Sequence, residues 1–378
     1  MSITRWGNPP WIIDFHPTRG PIPDEVDFAV IGGGFTGLSA AAWLRQMEPG
    51  KSVAVFESGS IGAGASGHTG GMTLAETAAG DLPGLGDVLS GFSATLKDLA
   101  VDGDLSLPGV WEVGRSGALP DSPISWTDSG NLRAIRQVPG GTIDPGKLVS
   151  GLGRSAAGRG ALIFENTTVE DVAFEEPMRL NVVGLNAAGR EVRAKSVLLA
   201  TNAMSLELSG LAGRAQPKFT LALATEPLSS AQLENLGLAS GKPFYTIDFP
   251  YLWGRLLRTG GIVFGSGLVH LNDWREFAEL DIAQGEVAEL MARLELRVRG
   301  LHSSLKNVQV SNRWGGPILI ASGWRPVFSR HPRSAHAIVL GGYSGHGVAL
   351  SVYLGRWAAE ALCGRRALPD WDSAGETA

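Results

Sequence analysis

The sequence predicts an α/β protein, with a discontinuous Rossmann-like nucleotide-binding domain into which an antiparallel-sheet domain is inserted. Because of the inserted domain, the chain as a whole is of the α+β class. Three observations predict this fold. A strand, a glycine-rich turn, a helix and a second strand follow one another over residues 26–57, alternating aromatic-rich segments begin at Pro217, and an apolar strand after residue 335 leads into a glycine-rich helix start. Because 378 residues exceed the usual limit of one hydrophobic core, two domains are expected.

The first element is a dinucleotide-binding fingerprint in residues 26–57. Gly32 allows the tight turn out of the strand, Gly34 allows backbone N–H groups to approach a pyrophosphate, and Gly37 allows the helix to pack closely on the sheet. The helix N-terminus then presents its dipole and its free N–H groups to phosphate. Glu57 ends the second strand, where its carboxylate is placed to accept hydrogen bonds from a ribose 2′-hydroxyl, and an acid there disfavours NADP.

The later elements are predicted from small-residue loops, caps and periodicity. The loop 61–72 contains only small residues over 62–67, which suits a backbone that lies against a flat ligand. Asp144 and Pro145 are expected to be the N-cap and the first residue of a helix, and 196–202 is a continuous apolar run typical of a buried parallel strand. The predicted helices are 84–101, 145–157, 279–299 and 349–363, and the predicted strands are 110–116, 161–164, 167–174 with a hairpin onward to 192, 196–202, 219–225, 243–247, 251–257, 261–267 and 336–340.

These elements set the predicted domain boundaries. The nucleotide-binding domain is assigned residues 1–90, 140–215 and 310–378, and the inserted domain is assigned residues 91–139 and 216–309. Residues 1–25 are rich in proline and read as an extended arm, in which Trp6 and Trp11 favour packing over a free tail.

Composition restricts the classes of protein that fit. Hydrophobic residues at 44% and charged residues at 18% are typical of a globular chain with a large buried core. The net charge of −5 gives no support for nucleic-acid binding. Cys363 is the single cysteine, which excludes an internal disulfide and a multi-cysteine metal centre, and no metal is expected. Because no leader-like segment and no apolar stretch of membrane-spanning length is present, a cytoplasmic enzyme is expected.

Four blocks of sequence, which together extend over residues 26–363, resemble a known family. They are similar to those of the FAD-dependent amine and amino-acid oxidoreductases of the D-amino acid oxidase superfamily, which includes glycine oxidase and sarcosine oxidase, and most nearly to those of its γ-glutamylputrescine oxidase branch. The blocks are residues 30–39 (VIGGGFTGLS), residues 61–71 (IGAGASGHTGG), Trp314-Gly-Gly with Pro326 and Phe328, and residues 342–351 (GYSGHGVALS).

The resemblance implies FAD as the cofactor and assigns residues to each part of it. Helix N-terminal N–H groups over 345–348 would stabilise the negative charge that develops at the flavin N1/C2 carbonyl on reduction. The implied residues are Gly32, Gly34, Phe35, Thr36 and Gly37 at the pyrophosphate; Glu57 and Ser58 at the adenosine ribose; Gly64, Ala65, Ser66, His68, Thr69, Gly70 and Gly71 along the flavin; Val169 at the adenine through its backbone; Ala200, Thr201 and Asn202 behind the ring; and Gly345, His346, Gly347 and Val348 at the N1/C2 carbonyl.

The reaction that the resemblance implies is oxidation of a C–N bond in a small amine or N-substituted amino acid. Hydride would pass from the carbon beside a neutral amine to flavin N5, and water would hydrolyse the resulting imine, so no dedicated acid or base is required. An oxidase would reduce O2 to H2O2. A dehydrogenase, alone or as a subunit of a hetero-oligomer, would pass electrons to a protein or a quinone. The oxidase is favoured, and a flavin-binding subunit without turnover is a third alternative.

Arg325 is the sharpest prediction for the substrate side. Residues 323–326 resemble the Gly-X-Arg-Pro segment whose arginine pairs with the substrate carboxylate in D-amino acid oxidase and glycine oxidase. Alignment through Trp314 and Phe328 to the γ-glutamylputrescine branch instead makes Arg325 a surface or structural residue. Both alternatives stand.

Aromatic residues of the inserted domain are the other substrate-side prediction. Tyr245, Tyr251 and Trp253 fall on predicted strands, with Arg255 beside them. Their rings are expected to enclose the substrate over the flavin face. Packing in the core is the alternative for each of them.

Two interpretations of His68 follow from the resemblance. Relatives in the γ-glutamylputrescine branch have arginine there, whereas dimethylglycine and sarcosine dehydrogenases have, near this point, a histidine bound covalently to the flavin. Non-covalent FAD is favoured over a covalent link at His68. Cys363 lies in the last predicted helix and is not expected to be an attachment site.

Overall fold

The computed structural model describes residues 3–18, 20–184 and 189–371. Parts of three predicted segments lie outside these residues: 1–2 and 19 of the arm, 185–188 of the hairpin, and 372–378 of the nucleotide-binding domain. Within the described ranges, no helix is long and apolar enough to cross a membrane.

The described residues form eighteen β-strands and eight α-helices, with short 3-10 turns at Ile3–Trp6, Trp274–Ala278, Ser303–Leu305 and Ser322–Trp324. The strands are β1 (Glu25–Ile31), β2 (Val53–Phe56), β3 (Met72–Leu74), β4 (Val110–Gly114), β5 (Ser125–Thr127), β6 (Asn131–Val138), β7 (Gly140–Thr142), β8 (Leu162–Phe164), β9 (Thr167–Ala173), β10 (Met178–Gly184), β11 (Arg190–Leu199), β12 (Ala215–Thr225), β13 (Phe244–Thr246), β14 (Leu252–Leu256), β15 (Ile262–His270), β16 (Val310–Ala321), β17 (Val327–His331) and β18 (Ser334–Gly341). The α-helices are α1 (Phe35–Met47), α2 (Ala65–His68), α3 (Val88–Asp98), α4 (Pro145–Gly158), α5 (Leu206–Ser209), α6 (Ser230–Asn235), α7 (Gly285–Leu301) and α8 (Gly347–Leu362).

The first sheet forms the α/β part of the molecule. Strands β8, β2, β1, β11 and β18 are parallel neighbours in that order, β17 pairs antiparallel with β18, and β9 and β10 extend β11 as a hairpin. Phe28 and Val30 of β1 share a core with α1 and α8, whereas Ala29 and Ile31 belong to the core on the opposite face. This burial of both faces explains the continuous apolar run of β1. The carboxyl ends of β1, β2 and β11 open together at one edge of the sheet.

The second sheet has eight strands in the order β16-β12-β15-β14-β13-β4-β6-β5, and all of its pairings except that of β13 with β4 are antiparallel. The predicted α/β class with an antiparallel-sheet region is confirmed. Strand β16 pairs with β12 along its length, so the predicted domain boundary at residue 310 would cut this sheet. We propose that the inserted domain runs through Ala321.

In the inserted domain, which we also call the second domain, the long helix α7 begins later than predicted. Residues 279–299 were expected to be helical, but α7 begins at Gly285. The backbone N–H of Ile282 donates instead to the carbonyl of Arg5 at 2.9 Å. Leu280 and Ile282 still pack against the core, so their apolar spacing continued the helical pattern beyond the helix.

The N-terminal arm packs against the second domain, as its tryptophans predict. Trp6 and Trp11 are both buried. The indole N–H of Trp6 donates to the carbonyl of Phe277 at 3.0 Å, and Gly7 forms an isolated bridge with Trp314 of β16. Trp6 and Trp11 therefore attach the arm to the folded core.

Candidate functional site

A cavity of about 910 Å³ lies at the carboxyl ends of β1, β2 and β11 and extends to the inner face of the second sheet. All but two of the residues that the resemblance assigns to FAD line this cavity. Tyr251 and Trp253 of the predicted substrate residues also line it. Tyr245 and Arg325 do not.

The two assigned residues that do not line the cavity are glycines that pack behind it. A Cβ on Gly37 would lie 1.9 Å from the carbonyl oxygen of Gly32, so glycine is what allows α1 to approach the turn after β1. The carbonyl of Gly71 accepts a hydrogen bond from Ile143 N at 2.8 Å, which ties its loop to the segment that precedes α4.

The first turn of α1 forms an anion-binding cradle. Gly32 has a φ of +112°, a conformation that favours glycine. Gly34 is the N-cap and has no side chain with which to cap the helix. Ser66 Oγ accepts a hydrogen bond from Phe35 N at 2.9 Å and fixes the neighbouring loop. Because a helix dipole concentrates positive charge at this end, the cradle fits a pyrophosphate.

Glu57 lies beside this cradle and is held by backbone donors. Its Oε2 accepts from Gly33 N and its Oε1 from Gly59 N, each at 2.8 Å. Burial raises the pKa of Glu57 above its ordinary value and Glu165 adds to the rise, whereas the two N–H donors oppose it. Because each carboxylate oxygen can accept more than one hydrogen bond, Glu57 retains capacity for ribose hydroxyls.

We call the loop 62–71 the inner loop, and side chains from distant elements hold its backbone. The indole N–H of Trp11 donates to the carbonyl of Gly67 at 2.7 Å. The indole N–H of Trp314, which is fully buried, donates to the carbonyl of His68 at 2.9 Å. The two indoles contact each other edge to face, with ring centroids 5.4 Å apart. The loop is thus fixed between the arm and the second sheet.

Arg255 makes a third contact of this kind. Its Nε donates to the carbonyl of Gly70, and its guanidinium lies 5.5 Å from the centroid of the Trp11 ring. The side chain is 6% exposed, and Nη2 has no hydrogen-bond partner among the described residues. Burial lowers the pKa of Arg255 to about 10. Arg255, which was predicted to lie beside the aromatic residues, does not line the cavity and instead supports the inner loop from behind.

Among the described residues, the His68 ring makes one hydrogen bond, through Nδ1, and burial favours its neutral form. Its Nδ1 lies 2.9 Å from the carbonyl oxygen of Gly64, and a carbonyl can only accept, so Nδ1 carries the proton and Nε2 has a free lone pair. Burial lowers the pKa of His68, which is 9% exposed. The Trp6 ring contacts it edge-on at 5.5 Å. His68 also lines the cavity.

The start of α8 brings a second helix N-terminus to the cavity. Gly347 begins the helix and His346 is its N-cap, without a side-chain cap. The Tyr343 hydroxyl lies 2.7 Å from Thr36 Oγ1, which joins this loop to the first turn of α1. Asn202 Oδ1 accepts from Gly342 N at 3.0 Å. The two ends of the chain therefore build one site.

Two polar atoms beside the cavity have no partner among the described residues. They are the hydroxyl oxygen of Thr201 and Nδ1 of His346, and both are buried. Burial also lowers the pKa of His346. Because buried polar atoms are normally hydrogen-bonded, these two are places that a bound polar group would satisfy. Together with the cradle of α1, they fit a ligand with the polar edge and the phosphates of FAD.

On the side of the second sheet, aromatic rings cover the inner loop. A Cβ on Gly70 would lie 2.1 Å from the Trp253 ring, so this indole lies directly against the loop. Tyr251 is 41% exposed and lies further out along the same wall. Tyr245 differs from its prediction, because its hydroxyl donates to buried Glu112. Its burial against that carboxylate raises the pKa of Tyr245 and holds the ring off the cavity.

Arg325 does not reach the cavity. Its Nη1 donates to the carbonyl of Trp371 at 3.2 Å, and the side chain does not line the cavity. The preceding residue, Trp324, lines it instead and has a φ of +63°. Arg325 therefore lies outside the cavity lining, and its role in substrate binding stays a prediction.

Sequence reasoning missed part of the cavity wall. The missed residues include Trp6, Phe249, Pro250, Leu268 and Trp274. Phe249 and Pro250 fall in the turn between two predicted strands, where periodicity gives no signal, and the aromatic-proline pair was the one local hint.

Comparison with known proteins gives one consistent family. A family model described as FAD dependent oxidoreductase (DAO) matches residues 27–361. The chain is similar to the gamma-glutamylputrescine oxidoreductase of Escherichia coli, with 26% identity over 384 residues that cover 89% of this chain and 84% of that protein.

Solved structures show the same fold. The L-proline dehydrogenase from P. horikoshii has a TM-score of 0.69 at 19% identity, covering 92% of this chain and 96% of that one. The glycine oxidase from Geobacillus kaustophilus has a TM-score of 0.69 at 17% identity, covering 91% of this chain and 96% of that one.

Proposed function

The chain belongs to the FAD-dependent oxidoreductase family, and we propose that it oxidises a C–N bond in a small amine or an N-substituted amino acid. The observation that carries this proposal is a single cavity that is lined by the starts of α1 and α8, whose N-cap residues make no side-chain cap bond, and by aromatic residues of the second sheet. The names of similar proteins favour the substrate class, because they refer to γ-glutamylputrescine, L-proline and glycine.

The described residues fit FAD along the whole cavity. The first turn of α1 would hold the pyrophosphate, Glu57 the adenosine ribose and Val169 the adenine. The inner loop and the start of α8 would hold the flavin, with Thr201 Oγ1 and His346 Nδ1 as free polar atoms beside it. When bound, FAD would accept a hydride from the carbon beside the amine nitrogen, leaving an imine for water to hydrolyse.

We propose that the protein's own contribution is to orient a neutral amine against apolar walls. Among the described residues that line the cavity, Glu57 is the only carboxylate, and it lies at the end assigned to the adenosine. Burial against Trp253 and Tyr251 would disfavour the charged ammonium, since desolvation lowers the pKa of a cationic group. We therefore propose that removal from water supplies the reactive, neutral form of the amine.

We propose O2 as the electron acceptor, with H2O2 as the product, and a protein or quinone acceptor as the alternative. Both kinds of name occur among the structural relatives, an oxidase and a dehydrogenase. Stopped-flow mixing of the substrate-reduced protein with air-saturated buffer tests the choice. Rapid return of the flavin colour with release of peroxide is expected, and slow return would favour the dehydrogenase.

We propose that FAD is held without a covalent bond. The alternative is a covalent link at His68, and it is favoured by one observation, that Nε2 of His68 makes no hydrogen bond among the described residues. A histidine nitrogen attacks as a neutral lone pair, and the hydrogen bond from Nδ1 to Gly64 leaves Nε2 in that form. Acid precipitation of the protein tests the point. Yellow colour should stay in the supernatant, whereas colour in the pellet that disappears in His68→Ala would establish attachment.

Anaerobic bleaching of the flavin tests the proposed function as a whole. The panel would contain primary and N-alkyl amines, D- and L-amino acids, and N-alkyl glycines. Bleaching by at least one class is expected. Absence of bleaching throughout, in a protein that retains FAD, would favour the flavin-binding subunit without turnover.

A further inference from the structure

Residues 248–251, which we call the outer loop, lie in the connection from β13 to β14. Phe249, Pro250 and Tyr251 of this loop line the cavity and form its outer wall. Phe249 is 85% exposed and Tyr251 is 41% exposed, yet both line the cavity. Leu268 and Trp274 also line the cavity. A group of large apolar side chains left open to water around a cavity mouth is typical of a binding site for an apolar group.

Two guanidinium groups hold the backbone of this loop. Arg297 donates from Nη1 to the carbonyl of Tyr251 at 3.0 Å and from Nη2 to the carbonyl of Pro250 at 2.5 Å. Arg115 donates from Nη1 to the carbonyl of Phe249 at 3.2 Å. Three successive carbonyls of the loop are thus fixed by two cations.

Both cations meet at Asp128, in the turn between β5 and β6. Its Oδ2 accepts from Nε and Nη2 of Arg297 at 3.0 and 2.5 Å and lies 4.0 Å from Nη2 of Arg115. The side chains of Asp128 and Arg297 are 10% and 14% exposed. Charge-assisted bonds in this partly buried setting are stronger than those of a fully exposed pair. Arg297 lies on α7, Arg115 directly follows β4 and Asp128 directly follows β5, so regular elements position the groups that hold the loop.

We infer that the outer loop is a specificity wall that selects substrates with an apolar, aromatic-sized group, and that Asp128 and Arg297 are positioning residues for this wall. The inference rests on the proposed function in one respect, which is that this end of the cavity receives the substrate. Asp128 does not line the cavity, so it acts through the arginines and the loop carbonyls. Loss of its charge would let the outer loop relax without touching the residues assigned to FAD.

A pair of neutral ligands tests the wall without turnover. Benzamide and acetamide share an amide and differ in a phenyl ring against a methyl group. Each is titrated into the oxidised holoenzyme while the flavin absorption is followed. Benzamide is expected to bind about tenfold or more tightly, since burial of a ring by apolar walls is favourable. Equal affinities for the two ligands would overturn the inference.

The positioning role is tested with Asp128→Asn against Asp104→Asn. Asp104 is a matched control because it is also partly buried and also pairs with two cations, Lys147 at 2.7 Å and Arg258 at 3.4 Å. Asp128→Asn should reduce the benzamide preference to about threefold or less, and Asp104→Asn should leave it unchanged. Asp128→Glu should restore part of the preference. An unchanged preference in Asp128→Asn would overturn the positioning role.

Phe249→Ala keeps the test decisive if Asp128→Asn does not fold. Its ring is mostly exposed, so the substitution should leave the fold intact and still lower the benzamide preference. Retention of the full preference would overturn the wall. Neither ligand is oxidised, so these ratios are measured whether or not any amine bleaches the flavin. Failure of the proposed function and failure of this inference therefore give different results.

Discussion

The inner loop and the outer loop lie on the same cavity, but different donors hold their backbones. Two indoles and a buried guanidinium hold the carbonyls of the inner loop. In the outer loop, two guanidinium groups linked through Asp128 do so at a partly buried site. Indole donors in a dry core are insensitive to salt, whereas partly buried ion pairs are screened in part. The side assigned to FAD is thus fixed by packing, and the side assigned to the substrate can be adjusted separately.

The largest effect is expected from Trp314→Phe, which removes one of the hydrogen-bond donors that hold the inner loop. The change leaves the buried carbonyl of His68 without its donor and opens space in a filled core. It should lower the free energy of unfolding by about 2–4 kcal/mol and weaken FAD binding about tenfold or more. Urea unfolding and titration of the apoprotein with FAD measure both.

Trp274→Phe is the control for this comparison. Its indole donates to Glu207 at an exposed site, so its loss should lower the free energy of unfolding by less than about 1 kcal/mol. Equal costs for the two substitutions would remove the distinction between a buried and an exposed indole donor.

Acid should weaken the inner loop through His68. Burial lowers the pKa of His68 below its usual value near 6.5, so the unfolded chain takes up the proton first. This contribution is complete above about pH 6.5 and is lost as the pH falls, by up to about 1.4 kcal/mol per pH unit.

Urea unfolding from about pH 7 to pH 5 measures this loss. The slope for wild type should exceed that for His68→Gln. Burial also lowers the pKa of His346, so part of the slope should remain in the variant. Identical slopes would show that His68 is not the group responsible.

Salt should affect the outer loop and sharpen the contrast. About 0.5 M NaCl should reduce the ratio of benzamide to acetamide affinity by up to about twofold, because it weakens the partly buried ion pairs of Arg115 and Arg297 with Asp128 only in part. Asp128→Asn should show no such change. A salt effect of the same size in that variant would assign it to another part of the protein.

The smallest effect is expected from Arg325→Ala. Arg325 bonds to the carbonyl of Trp371 and does not reach the cavity. Its loss should change kcat/KM by less than about twofold, and equally for a neutral amine and for an amino acid. A loss confined to amino acids would return Arg325 to the carboxylate role and place a charged contact on the substrate side.

The features predicted best from the sequence depend on neighbouring residues. The glycine-rich turn, Glu57 and the Asp144 cap of α4 each follow from local geometry, and the structure shows the cap as expected. The resemblance supplied the residues of the inner loop and of the start of α8, nearly all of which line the cavity.

The features that were missed depend on contacts between distant residues. Nothing near Arg255 indicates that it donates to Gly70, and nothing near Arg325 indicates that Trp371 accepts from it. Helical spacing continued through Ile282 although Arg5 binds its N–H group. Periodicity indicates which side of an element is buried, but it does not indicate which residues pack against that side.

The hydrogen bonds that hold the inner loop also bear on the order of folding. They join residues that are 56, 185 and 246 positions apart in the chain. Contacts over such distances form late, because long loops must close before the contacts can stabilise anything. A nascent chain that has not yet reached Trp314 has no partner for the His68 carbonyl. We therefore expect FAD to bind only after these long-range contacts have formed.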